Sequence, residues 1–262
     1  MTLSLNIGAS GMLAQQMNVD AISNNIANMN TTGFKRQRVE FADLMYQSKQ
    51  RPGQVSAQSG NTTPAGLQFG LGVRAAATYR IHEQGAIATT NNVLDLAISG
   101  EGFFEVEMPS GDSGYTRAGS FQLNENGELV TIQGHPIQPS ITIPDDAISI
   151  DIAQDGEVFV QQPNSPALTS VGQLTLVDFP NPGGLEATGD NLFLETAASG
   201  SPITGDPQTE QFGGILQGFL ESSNVDSVSE ITSLITAQRA YEMNSKVITT
   251  SDEMMSTTAQ LR

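Results

Sequence analysis

Two segments, one at each end of the chain, carry apolar residues at intervals of seven. In the first segment these residues are Leu5, Met12, Val19 and Ile26, with Ile22 on the adjoining position. In the second segment they are Leu234, Tyr241, Ile248 and Met255, with Ile231 beside them. A period of seven is typical of a helix that packs lengthwise against another helix. The pattern therefore predicts helices over roughly residues 3–28 and 226–260, with these residues in the subunit-packing seam.

Between the two helices the pattern changes to short alternations of β-branched or aromatic residues with polar ones. The clearest runs are LDLAISGEGFFEVEM, GYTRAGSFQLNENGELVTIQG, ISIDIAQDGEVFVQQ and GQLTLVDF. Gly, Pro, Asn and Asp interrupt them, which is typical of short strands joined by turns. Asn126-Gly127 and Asp155-Gly156 predict two-residue hairpin turns with positive φ. We therefore expect a mostly antiparallel, barrel-like or sandwiched β domain.

The order of these patterns predicts an α+β fold with four segments. We expect an N-terminal helix over residues 1–34, an extended arm over 35–74, a β domain over 75–215 and a C-terminal helix over 216–262. Within the arm, residues 46–73 have little apolar period and much Gly, Ser and Gln. The terminal helices cannot bury their apolar stripes alone. They are expected to pair as a coiled coil with each other or with other subunits.

The stretch SNNIANMNTTGFKR, residues 23–36, predicts a joint between the first helix and the outer part of the chain. Asn28 and Gly33 can end a helix, because Asn and Gly tolerate the left-handed conformation. At the second helix, Ser223, Asn224 and Asp226 are expected to cap the first turn. Joint and intersubunit polar contacts are predicted for Asn25, Asn28, Gly33, Lys35, Arg36, Arg38, Lys49 and Arg51.

Five of the eleven basic residues belong to that last group, although the net charge is −17. Residues 1–34 and 118–238 contain no Lys or Arg. The basic cluster is either a solvated turn or a collar that meets the acidic surface of a neighbouring copy. Nucleic acid is excluded as a partner, because a chain with a pI near 4.2 repels phosphate over most of its surface.

Composition also bounds the chemistry. The chain has no cysteine, which excludes disulfides and thiolate metal sites. His82 and His135 are not spaced as ligands on one helix or hairpin, and Asp151 and Asp155 form an incomplete calcium loop. We therefore predict no metal and no cofactor. The opening MTLSLNIGASGML lacks the features of a secretory signal, and no apolar run is long enough to insert into a membrane.

One short motif raises an enzymatic alternative. GDSG, at residues 111–114, matches the nucleophile tetrapeptide of trypsin-like proteases, in which a histidine activates the serine. Tyr115 and Thr116 follow it where Gly and Pro would be expected, and His82 lies in an unrelated context. A polar turn between two strands explains the motif better. We predict no catalytic residues.

The two terminal patterns together resemble the bacterial flagellar rod and hook family. The run NNIANMNTTGFKR and the run ESSNVDSVSEITSLITAQRAYEMNSKVI are similar to the paired terminal signatures of that family. The middle runs YTRAGSFQLNENGELV, QGHPIQP and PGQVSAQSGNTTPAGLQFGLGV resemble its distal rod branch. The resemblance covers nearly the whole chain, with its long motifs in the expected order.

This resemblance implies a structural subunit of the distal rod of the flagellar basal body. Such subunits assemble into a hollow helical drive shaft that transmits torque from motor to hook and lines the export channel. The implied partners are further copies of the chain, the proximal rod and hook proteins, the P- and L-ring bushing, the type III export apparatus and the rod cap. The implied location is the periplasm-spanning rod, reached without a cleaved signal peptide.

The first ten residues depart from the branch, because MTLSLNIGAS lacks the basic and aromatic residues common there. This puts charge pairing at the N-terminus in doubt but leaves the heptads intact. Two other functions are compatible with the pattern. One is a proximal rod or hook protein of the same family, and the other is a secreted β-rich binding module or hydrolase with terminal helices.

Overall fold

A computed structural model describes residues 2–50, 65–163, 165–209 and 211–260. Helix α1 spans Thr2–Ala27 and helix α2 spans Ser227–Gln260. Both predicted helices are thereby confirmed. Among the described residues, neither helix has the length and apolar content required to cross a bilayer.

The chain divides into two compact units. Unit 1 comprises Met1–Ile26, Gln37–Tyr79 and Ser227–Arg262, and unit 2 comprises Ala27–Arg36 and Arg80–Asp226. The backbone therefore passes from one unit to the other four times, after residues 26, 36, 79 and 226. The sequence pattern predicted consecutive segments and not these repeated passages. In the structure, residues 27–36 belong to the β unit, although they directly follow the first helix.

Among the described residues, unit 1 contains both helices and four strands. The strands are β1 (Gln37–Asp43), β2 (Tyr46–Gln50), β3 (Leu67–Gly70) and β4 (Val73–Arg80). β1 pairs with β4, and β2 pairs antiparallel with β3. β1, β2 and β3 lie in the segment for which an extended arm was predicted. Residues 51–64 of that segment lie outside the described residues.

Unit 2 holds the remaining strands. They are β5 (Ile87–Thr89), β6 (Leu96–Ser99), β7 (Phe104–Glu107), β8 (Ser113–Thr116), β9 (Phe121–Leu123), β10 (Leu129–Thr131), β11 (Ile137–Gln138), β12 (Ser149–Ile152), β13 (Glu157–Gln162), β14 (Ser165–Gln173), β15 (Leu176–Asp178), β16 (Glu186–Gly189), β17 (Leu192–Leu194), β18 (Ile203–Gly205), β19 (Gly214–Gln217) and β20 (Phe219–Glu221). A short 3-10 helix spans Pro182–Gly184.

The sheets of unit 2 are antiparallel, as the alternating pattern predicted. The largest has the order β11-β7-β8-β17-β16, and a second has the order β12-β13-β14. The pairs β9–β10, β15–β18, β6–β19 and β5–β20 complete the arrangement. Side chains that alternate inward from these strands form one large apolar core, which includes Leu96, Phe104, Val158 and Ile215.

A second, aromatic cluster lies in the same unit. It contains Phe103, Tyr115, Val177, Phe179 and Phe193, all buried. The rings meet edge to face, for example Tyr115 and Phe179 at 4.8 Å between centroids. This geometry places the positive edge of one ring against the negative face of the next, which stabilises the pair beyond the area buried.

The hairpin turns differ from the predicted type. Gly127 and Gly156 have φ of +76° and +85°, whereas Asn126 and Asp155 are not in the left-handed region. The N–H of each glycine donates to the carbonyl three residues earlier, so each loop has three residues and one left-handed position. A two-residue turn with two positive φ values instead joins β16 to β17 at Asp190 (φ +53°) and Asn191 (φ +60°).

Candidate assembly surface and joint

Helices α1 and α2 touch through small and polar side chains. The hydroxyl oxygens of Ser4 and Ser251 are 2.7 Å apart, and Asn25 Nδ2 donates to Glu230 Oε2 at 3.3 Å. The start of α1 therefore meets the end of α2, and the end of α1 meets the start of α2. This order makes the helix pair antiparallel.

Two glycines of α1 allow α2 to approach closely. A Cβ added at Gly8 would lie 2.9 Å from Ile248 Cγ1, and one at Gly11 would lie 2.8 Å from Asn244 Nδ2. Both distances are too short for a real side chain, so glycine is the residue that fits there. Four other buried positions are also small: Ala14 and Ala21 on α1, and Ala237 and Ser251 on α2.

The predicted packing residues are therefore distributed differently from the expectation. Ile22 is buried, and Tyr241 and Ile231 are exposed at 43% and 49%. Partly buried are Leu5, Met12, Val19, Ile26, Leu234, Ile248 and Met255. The most buried positions of α2, namely Glu230, Ala237 and Ser251, follow a separate spacing in multiples of seven. Small residues lie at several points of close approach, and the large side chain of Ile248 packs directly against one of them, Gly8.

One groove on the helix pair does bring predicted packing residues together. Val19 and Tyr241 line it with Gln16, Gln238 and Glu242, and its volume is about 420 Å³. Large apolar side chains elsewhere on the pair are exposed, with exposed fractions of 54% for Leu13, 63% for Met243 and 58% for Met254. The intrachain contact alone therefore leaves a substantial apolar surface in water.

Within unit 1, Asn25 binds the backbone of Gln37. The Asn25 Nδ2 group donates to the Gln37 carbonyl at 2.9 Å, and Asn25 Oδ1 accepts from the Gln37 N–H at 2.8 Å. The side chain is 1% exposed. Arg38 lies 3.4 Å from Glu40 on the surface, and Lys49 lies over the Phe69 ring at 5.7 Å. Arg51 is outside the described residues.

The joint segment, Ala27–Arg36, is part of unit 2. Asn28 accepts the N–H of Thr31 at its carbonyl, in a turn that follows the end of α1. Gly33 (φ +67°) comes later, so it does not close the helix as predicted. Instead its N–H donates to the Glu221 carbonyl at 2.8 Å, and a Cβ here would lie 2.7 Å from the backbone of Arg117 and Ala118. The joint segment is thus seated against the β unit where only glycine fits.

Lys35 enters the interior of unit 2. Its ammonium donates to Glu221 Oε1 at 2.6 Å and to the Glu83 carbonyl at 2.7 Å, and both charged side chains are 0% exposed. Burial lowers the pKa of Lys35, and the Glu221 carboxylate opposes that effect. This position differs from the predicted collar that faces a neighbouring subunit, because the charge of Lys35 is already paired within its own chain.

Glu221 also binds two further groups. The Gly85 N–H donates to Oε1 at 2.8 Å, and Arg117 lies 3.5 Å from Oε2. Arg117 donates to the Gly100 carbonyl at 2.6 Å and lies over the Phe103 ring. Burial lowers the pKa of Arg117, against the attraction of Glu221. One carboxylate therefore holds two buried cations and a backbone amide.

Asn224 was expected to cap α2. Its side chain instead bonds to the backbone of two other segments of unit 2, both outside the β-strands. Its Oδ1 accepts the Arg36 N–H at 2.7 Å, while its Nδ2 donates to the carbonyls of Ile81 and Glu83 at 2.9 and 3.1 Å. Sequence reasoning assigned a local role because Asn before a helix is a common cap. The partners lie more than 140 residues away, and no local pattern indicates them.

GDSG forms part of the turn between β7 and β8, as the polar-turn interpretation predicted. The Gly111 N–H donates to the Met108 carbonyl at 2.9 Å, and Ser110 bonds Asp112. His82 instead packs edge-on against the rings of Phe103 and Phe193. Over the described ranges, no group of three or more His, Asp or Glu residues could hold a metal ion.

Comparison with known families finds three matches along the chain. Residues 5–35 match the family described as flagella basal body rod protein. Residues 97–160 match the flagellar hook protein FlgE/F/G D1 domain, and residues 216–261 match the C-terminal region of flagellar basal body rod FlgEFG proteins. The first and third matches correspond to the two helices, and the second lies within unit 2.

Full-length relatives agree with these matches. The chain is 56% identical to flagellar basal-body rod protein FlgG of Caulobacter vibrioides over 259 residues, 99% of both chains. It is 50% identical to the protein of that name from Agrobacterium fabrum over 97% of both chains. Identity to the Bacillus subtilis protein of that name is 40% over the full length of both. Paired terminal helices, an antiparallel β unit and end-to-end identity together show that the chain belongs to the flagellar basal-body rod protein family.

Proposed function

We propose that this chain is a structural subunit of the distal rod. Copies of it polymerise into a hollow helical shaft, with the helix pair forming the inner wall as a coiled coil and unit 2 lying outside. The shaft transmits torque and leaves a central channel for export. It performs no catalysis and needs no cofactor.

The observation that supports this proposal is the exposed apolar surface of the helix pair. The contact between α1 and α2 leaves Leu13, Met243 and Met254 exposed. Covering such side chains stabilises an assembly by roughly 25 cal/mol per Å² of apolar area buried. Further copies of the same helices provide a matching surface, as in coiled coils.

The remaining partners are those that the resemblance to the rod family implies. The proximal rod and hook proteins would contact the two ends of the shaft, and the P and L rings would surround unit 2. The export apparatus would deliver the chain without a cleaved signal, and a rod cap would assist its folding at the tip. The groove lined by Val19 and Tyr241 and the exposed Arg38 and Lys49 are the surfaces proposed for contacts between copies.

Substitution of Met243 tests the proposal. Met243→Asp places a charge on the exposed apolar surface and should abolish polymers, because burying an unpaired carboxylate costs several kcal/mol. Met243→Leu keeps the surface apolar and should polymerise as the parent does. Sedimentation and electron microscopy measure polymer, and circular dichroism measures whether the monomer stays folded. Polymers of Met243→Asp at the parent's concentration, or a parent chain that forms none, would contradict the proposal.

A further inference from the structure

Four distant parts of the chain meet at the end of β20. The joint segment contributes Gly33, Lys35 and Arg36, and the stretch after β4 contributes residues 81–85. Arg117 comes from the loop after β8. All of them bind Glu221 or Asn224, which stand shortly before α2. These two residues, with their partners, are called the lock.

We infer that the lock makes the ordering of the joint segment wait until Glu221 and Asn224 have taken their places in unit 2. The lock itself is a property of the single chain. Its use in assembly rests on the proposed function, because only a polymerising subunit gains from a delay in fixing the segment that follows α1.

The first argument is electrostatic. Lys35 is fully buried, and its charge is compensated by Glu221 Oε1 at 2.6 Å. A buried ammonium without its carboxylate is strongly destabilising. The joint segment therefore cannot take its seat in unit 2 until Glu221 is present. Before Glu221 is in place, the Lys35 ammonium is more stable exposed to water than buried.

The second argument concerns the backbone. The N–H groups of Gly33 and Arg36 donate to the Glu221 carbonyl and to Asn224 Oδ1 at 2.8 and 2.7 Å. Without these acceptors the seated joint segment would leave backbone donors buried and unpaired, which is costly. Gly33 also packs against the backbone of Arg117 and Ala118 without space for a Cβ, which restricts how the joint segment can be placed.

The third argument is sequence distance. Lys35 and Glu221 are 186 residues apart, and Arg36 and Asn224 are 188 apart. Contacts between residues so far apart form late in folding, because closing a long loop costs conformational entropy. Until they form, α1 is followed by a segment without a fixed position in unit 2. A subunit in which the lock has not formed therefore cannot present α1 on an ordered joint to a growing polymer.

Hydrogen exchange on the isolated full-length chain tests the lock. Glu221→Gln keeps the shape of the side chain and removes its charge. We expect exchange in peptides covering residues 28–36 and 81–86 to become about tenfold faster or more, with peptides over β6, β7 and β13 unchanged. Val160→Ala, in the core of the unit, is the matched control for general destabilisation and should accelerate the β13 peptide. Equal acceleration everywhere in Glu221→Gln, or none, would overturn the inference.

Two further measurements keep the test decisive. If Glu221→Gln does not fold, Asn224→Ala removes three hydrogen bonds without leaving a buried charge and should show the same local acceleration. In the parent chain, pulse labelling during refolding should show the joint segment protected together with β20 and after β7 and β8. Protection of the joint before β20 would refute the order. None of these measurements needs a polymer, so failure of the lock and failure of the rod proposal are separate results.

Discussion

His82 shows how the surroundings of one side chain set its response to pH. Burial, and then the positive charges of Lys35, Arg117 and Arg80, lower the pKa of His82 from 6.5 to about 4. The unfolded chain therefore binds a proton at a higher pH than the folded chain does. This contribution to stability is fully present above pH 6.5 and is lost as the pH falls towards 4.

The corresponding prediction concerns the free energy of unfolding of the isolated chain. We expect it to fall by about 3 kcal/mol between pH 7 and pH 4 because of His82, beyond the loss due to other groups. The His82→Gln variant has no imidazole to protonate. Its free energy of unfolding should therefore fall less between pH 7 and pH 4, by the amount that His82 contributes. Urea unfolding of both proteins at constant ionic strength measures the difference, and equal losses would contradict it.

Lys35 marks the limit of sequence reasoning at this scale. A run of basic residues after a polar turn indicates equally a surface collar and a buried ion pair, because the deciding partner, Glu221, is 186 residues away. Asn25 shows a shorter-range case, because its side-chain amide, which can both donate and accept, bonds both backbone groups of a residue close to it in sequence. Its partner Gln37 lies only 12 residues further on.

At the scale of elements, periodicity predicted the helices, and the role of its large apolar residues in packing between subunits stays a prediction. Large apolar residues every seven positions indicate correctly where the chain is helical. Small residues carry little weight in such a pattern, yet Gly8, Gly11 and Ala237 lie where the two backbones come closest. The turns behaved similarly. Asn-Gly and Asp-Gly marked the hairpins correctly, while the number of loop residues depends on strand register, which the dipeptides do not encode.

The antiparallel helix pair makes a direct prediction. The chain contains no cysteine, so Ser4→Cys combined with Ser251→Cys introduces a single pair of thiols. The two hydroxyl oxygens are 2.7 Å apart, and mild oxidation should therefore form an intramolecular disulfide in most of the chains. Non-reducing electrophoresis with mass spectrometry measures it.

A matched pair controls for chance encounters. Ser4→Cys with Thr258→Cys places the second thiol two turns further along α2, on a position that is exposed. That pair should stay largely reduced under the same oxidation. Equal disulfide yields for the two pairs would show that α1 and α2 do not hold the arrangement described.

At the scale of the whole molecule, the region around β2 and β3 presents exposed aromatic side chains that another molecule could contact. β2 and β3 pair with each other, and Tyr46 and Phe69 on them are exposed. A two-stranded hairpin is marginal in water unless another surface covers it. In a polymer, contacts of this kind between neighbouring copies would resist sliding and stiffen the shaft.

We predict that deletion of Gln54 to Thr63, which lie outside the described residues, permits polymerisation but gives shafts that bend more readily. Replacement of those residues by a Gly/Ser segment of the same length separates the effect of sequence from that of length. Persistence lengths from electron micrographs measure the stiffness. Deletion shafts as straight as the parent would show that this region does not set the mechanics.

The four passages of the backbone between the two units have a mechanical meaning. A chain of two domains usually joins them by one linker, so any tension between the domains falls on a single strand. Here the backbone connects the two units at four places, after residues 26, 36, 79 and 226. A pull or a twist between the units is divided among them, and stretching one strand is limited by the other three. The helices and the β unit are thus joined by four covalent connections, whereas a single linker would carry any tension alone.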